Sequence, residues 1–86
     1  MEKSTTGAYS LILAPEANDS LTVLFEPGAG EYVLNSGESF RIVISGPEDG
    51  RVELTHGQGY VSVWPSPELS IAVYDRRGEA VHLLGY

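Results

Sequence analysis

The chain has 86 residues, with 42% hydrophobic and 20% charged residues, and 12 acidic against five basic side chains give a formal net charge of −7. That length holds one small core, the composition is that of a folded domain, and the negative charge disfavours nucleic acid, whose phosphates demand a basic surface. The absence of cysteine excludes disulfide frameworks and thiolate metal sites, and no apolar run approaches the ~18 residues of a membrane-spanning helix.

The first seven residues, Met1 to Gly7, are polar and read as a disordered N-terminal tail, with a single domain over 8–86. They carry no basic cluster followed by an apolar stretch, so a secretory signal is not expected and the chain reads as cytoplasmic. From Tyr9 onward the apolar residues recur with period two. Tyr9, Leu11 and Leu13 alternate with Ser10 and Ile12, and Leu21, Val23 and Phe25 with Thr22 and Leu24. Tyr32 and Leu34 follow, then Phe40, Ile42 and Ile44, then Val52 and Leu54. Val61 and Val63 flank Ser62, Ile71 and Val73 flank Ala72, and Val81 and Leu83 flank His82. Eight short, half-buried strands are the expected result, because successive side chains of a strand point to opposite faces.

Turn chemistry separates these runs: Pro15 to Asp19, Glu26 to Gly30, Asn35-Ser36-Gly37, Gly46 to Gly50, Gly57-Gln58-Gly59, Pro65-Ser66-Pro67 and Asp75 to Gly78. Gly37, Gly50, Gly59 and Gly78 each close a loop where a positive φ is expected. Pro65 and Pro67 fit a sheet edge or a crossover between sheets. No window has a helical period with start and stop signals. The expected fold is a single antiparallel β-sandwich or flattened barrel of jelly-roll, cupin-like or immunoglobulin-like topology. Its interior would hold Leu11, Leu13, Leu21, Val23, Phe25, Leu34, Phe40, Ile42, Ile44, Val52, Leu54, Val61, Val63, Ile71, Val73, Val81 and Leu83.

The segment Tyr32-Val33-Leu34-Asn35-Ser36-Gly37-Glu38-Ser39-Phe40 resembles the opening of a cupin β-barrel. Aligned on Gly37, the two histidine positions of the cupin metal motif fall on Val43 and Ser45 and the acidic position on Asp49, while the closing glycine, Gly57, comes one residue late. Without the histidines, cupin metal chemistry does not carry over. A second resemblance is to small uncharacterised bacterial proteins of actinobacterial type. It rests on Glu31-Tyr32-Val33-Leu34, Gly37 to Arg41, Gly46-Pro47-Glu48-Asp49-Gly50 and Val61-Ser62-Val63-Trp64, and implies no activity.

No catalytic constellation stands out. His56 and His82 are 26 positions apart on different strands, with Glu53, Asp49 and Asp75 as conceivable carboxylate partners. The serines lie on or beside strands, none in a nucleophile elbow, and Gly28-Ala29-Gly30 lacks the Lys-Ser/Thr ending of a phosphate loop. The expectation is therefore no catalytic residues, no metal and no cofactor.

The candidate binding residues are aromatic. If Val61 and Val63 face the core, Tyr60 and Trp64 project outward, as interface anchors or sugar-stacking platforms do; otherwise Trp64 packs under the Pro65–Pro67 crossover. Tyr74 is expected to extend the patch, and Tyr86 with it. The acidic turns form either a solvated rim or a field that steers a basic protein. The reading that follows is a non-enzymatic interaction module whose partner is another protein or a second copy of itself, an acidic adaptor or inhibitor. The alternatives are a degenerate cupin-like barrel for a sugar or small molecule, and a metal-dependent enzyme using His56 and His82.

Overall fold

The computed structural model describes residues 6–28 and 30–83. Among these, eight strands form: β1 (Thr6–Leu13), β2 (Leu21–Phe25), β3 (Gly30–Leu34), β4 (Phe40–Pro47), β5 (Val52–Gly57), β6 (Tyr60–Pro65), β7 (Ser70–Asp75) and β8 (Ala80–Val81). They make two four-stranded sheets, ordered β1-β4-β7-β8 and β3-β2-β6-β5, packed as a sandwich. The all-β expectation holds, and no helix among the described residues is long and apolar enough to cross a membrane. Of the expected tail, residues 1–5 lie outside the described residues, while Thr6 and Gly7 already pair with Pro47 and Gly46.

Five of the six strand pairings among the described residues are antiparallel; β2 and β6 run parallel, with Val23 beside Val61 and Phe25 beside Val63. The chain changes sheet at four connections: β1 to β2, β3 to β4, β4 to β5 and β6 to β7. The Pro65–Pro67 stretch belongs to the last of these, as its prolines demand.

The core follows the period-two pattern. Val23, Phe25, Leu34, Phe40, Ile42, Ile44, Val61, Val63, Val73 and Leu83 are buried, and Leu11, Leu13, Leu21, Val52, Ile71 and Val81 pack partly against them. Three rings tie the sheets together: Phe25 and Tyr32 from one, Phe40 from the other, with centroids 5.8, 5.9 and 6.4 Å apart. The Tyr32 hydroxyl donates to the His82 carbonyl at 2.9 Å, fastening β3 to the segment after β8.

Leu54 departs from expectation. It is 43% exposed, although it sits opposite the fully buried Val63 and therefore on the core side of its sheet. β5 is an edge strand, and core-side orientation buries a residue only where the facing sheet covers it.

Gly37, Gly59 and Gly78 have the expected positive φ, but Gly50 does not; Gly46 adopts one instead, at 145°. What Gly50 supplies is room, because a Cβ there would collide with the Leu69 side chain, 2.8 Å from its Cγ. Leu69, in the β6–β7 crossover, thus packs directly on the backbone of the β4–β5 turn.

Candidate functional site

β6 is an inner strand, hydrogen-bonded to β2 on one side and β5 on the other. Because Val61 and Val63 are locked into the core, Tyr60, Ser62 and Trp64 face outward. Tyr60 is 40% and Trp64 44% exposed. They stand four positions apart, about 13 Å along the strand, so they form two platforms and not one stack. Ser62, between them, is buried on this outer face, where its cross-strand neighbours are Leu24 and Thr55.

Each ring has a defined neighbour. Tyr60 lies opposite Gly57, and its ring occupies the space a Cβ would take: Cζ stands 2.9 Å from that position. Trp64 is paired with Glu53 on β5, and with Arg51, Val52, Pro65 and Ser66 it borders a shallow open groove. Beyond Tyr60, across Thr22, the exposed Val33 extends the apolar row. Glu31 lies on the same face of β3, opposite Leu24, so the aromatic platform carries acidic side chains at its margins.

Tyr74 does not join this surface. It lies on β7, in the other sheet, opposite Arg41, whose guanidinium carbon stands 4.8 Å from the Tyr74 ring centroid. Since Val73 points into the core, Tyr74 faces outward on the far side of the sandwich. Tyr86 lies outside the described residues.

His56 and His82 are not brought together either. His56 is on β5 at one side of the sandwich, and His82 follows β8 at the side fastened by Tyr32. Among the described residues no three His, Asp or Glu side chains cluster so as to hold a metal ion.

A concavity that no sequence motif announces lies at the end of the sandwich where β3 turns into β4. An open groove of about 420 Å³ lies between the β3–β4 corner and the β7–β8 turn, walled by Tyr32, Leu34 and Phe40 and rimmed by Ser39, Arg76 and Arg77. Arg76 Nη1 donates to the Gly37 carbonyl at 2.7 Å and closes one end. Asp75 Oδ1 accepts from the Arg77 and Glu79 amides, each at 2.9 Å, which shapes the turn that presents the arginines. Arg77 also pairs with Glu79 at 3.2 Å. Nothing local announces this groove, because its two halves lie about forty residues apart and each reads as an ordinary turn beside core residues.

Comparison with protein-family models, with curated proteins and with solved structures returns no significant match, so neither the cupins nor the small bacterial proteins are shown to be this chain's family.

Proposed function

We propose that this protein is a non-enzymatic interaction module that binds another protein through the outer face of the β3-β2-β6-β5 sheet, with Tyr60 and Trp64 as its anchors. The observation that carries this reading is the pair of half-exposed aromatic rings on an inner strand whose alternate residues are fixed in the core. A rigid strand presents large apolar area at little entropic cost, and tyrosine and tryptophan are enriched among the residues that dominate binding energy. The acidic margin, Glu31 and Glu53, and a net charge of −7 favour a basic partner. An acidic adaptor or inhibitor in the bacterial cytoplasm fits these properties.

The test is capture of the partner by tagged protein from its native lysate, read by mass spectrometry and repeated with Trp64→Ala and Tyr60→Ala. A basic protein retained by the wild type, lost from the variants and released by salt is the expected result. Equal capture by wild type and variants removes this face from the reading.

The groove beside Phe40 favours a second reading, a site for a sugar or small acidic metabolite held by apolar walls with Arg76 and Arg77 at the rim. A metabolite panel that raises the melting temperature of the wild type but not of Arg77→Ala supports it. A panel without effect removes it.

A further inference from the structure

We infer that the edge of β1, which pairs with no strand but β4 among the described residues, is a self-association surface, at which a second copy of this chain adds its own β1 antiparallel to form one continuous sheet across the pair. The inference goes beyond the interaction-module reading, since it concerns a second surface and a second copy of this chain, and it rests on that reading only in treating the protein as one that acts by association.

The four strands at the sheet edges are not equally protected. β8 is two residues long, β3 carries Glu31, and β5 carries Glu53 and His56. Short length and charge are the usual means of keeping an edge from pairing. β1 has neither. Its eight residues, Thr-Gly-Ala-Tyr-Ser-Leu-Ile-Leu, contain no charged residue and no proline, and they pair with β4 in an unbroken register from Thr6–Pro47 to Leu13–Phe40. The strand offers a ladder about 27 Å long, with alternate amides and carbonyls pointing away from β4.

The side chains along this edge are also incompletely covered. Ile12, on the outer face, is 67% exposed. Tyr9 lies opposite the buried Ile44, hence on the core side, yet is 56% exposed. The Tyr32–His82 bond marks the β3/β8 side of the sandwich, so the strand order puts β1 and β5 together at the other side. Leu54, the other core-side residue left exposed, belongs to that same open side. A sheet continued past β1 would supply the missing cover.

A second copy suits this edge for two reasons. In a chain of net charge −7 two copies repel each other least where no acidic groups meet, and β1 is a neutral strip of that kind. The strip is also self-complementary. With a two-fold axis at Ser10, Tyr9 meets Leu11 of the second copy on the core face. Ile12 meets Ala8 of the second copy on the outer face, and Gly7 meets its Leu13. Large residues oppose small or apolar ones on both faces, and each contact occurs twice, as an isologous interface requires.

Three variants test the pairing, with mass measured by light scattering and sedimentation across concentration. The wild type is expected to dimerise, and more tightly as salt rises, because salt screens repulsion between two acidic chains. This is opposite in sign to the release of a basic partner by salt. Ser10→Lys sets two lysines face to face on the axis and is expected to weaken the dimer by about tenfold or more, although it lowers the net negative charge. Ser10 is exposed, so the folded monomer accommodates the lysine, and an unchanged circular dichroism spectrum verifies this. Because the chain has no cysteine, Ser10→Cys introduces a single thiol that is expected to form an intermolecular disulfide on mild oxidation. Ile12→Cys, displaced along the strand from its own copy, is not expected to cross-link. A wild type that stays monomeric, a dimer indifferent to Ser10→Lys, or equal cross-linking at both cysteines overturns the inference. Capture of a basic protein that depends on Trp64 but not on Ser10, by a monomeric chain, overturns it while leaving the interaction-module reading intact.

Discussion

The Tyr60 ring lies across the α-carbon of Gly57 on the neighbouring strand, in the space where any other residue would carry its Cβ. The aromatic covers backbone that the glycine leaves bare, and the glycine lets the ring lie flat. One of the two exposed platforms of the outer face is therefore held by a residue with no side chain. In Gly57→Ala the methyl must displace the ring. We expect a stability loss of about 1 kcal/mol, at the low end for overpacking because a half-exposed ring can swing away. Urea unfolding followed by the fluorescence of the single tryptophan measures it.

Phe25, fully buried, contacts the Tyr32 ring of its own sheet and the Phe40 ring of the facing one. Phe25→Ala is expected to cost about 3–5 kcal/mol, comparable with the whole stability of a domain this small. The variant should lack a cooperative thermal transition by circular dichroism, while Phe25→Leu retains one at lower temperature.

Tyr32→Phe keeps the ring cluster and removes only the hydroxyl that donates to the His82 carbonyl. The expected loss is about 1 kcal/mol. Faster amide hydrogen exchange should be confined to β8 and its flanks, since that bond fastens the strand whose ladder is shortest.

Gly50 and Leu69 should behave as a coupled pair. Gly50→Ala drives a methyl into the Leu69 side chain, at an expected cost of about 2 kcal/mol. In Leu69→Ala the space is open, so adding Gly50→Ala should cost far less. A double-mutant cycle by chemical denaturation gives the coupling, and additive losses would refute the contact.

Much of the architecture was legible in the chain. Period-two alternation around Ile42, Val61 and Val73 identified the strands and their core-facing residues, since facing in a strand is a local property. The outward orientation of Tyr60 and Trp64 followed from Val61 and Val63 in the same way. What was not legible was cover. Leu54 alternates as faultlessly as Val63, but lies on an edge strand at the open side of the sandwich. Ser62 has the parity of a solvent-facing residue, yet its neighbours on an inner strand bury it. Gly50 had the look of a positive-φ turn residue and proved to be a space-maker for Leu69, nineteen positions away.

The sequence by itself determined that the chain is all-β and which side of each strand is apolar, because these depend on neighbours within a few residues. Only the tertiary structure decided which strands pair. It laid β2 parallel to β6, put Tyr74 on the opposite face from Tyr60 and Trp64, joined two distant turns into the groove beside Phe40, and left β1 as an uncharged edge. Strand order depends on contacts between residues far apart in the chain, and a period-two pattern carries the facing of a strand without the identity of its neighbour.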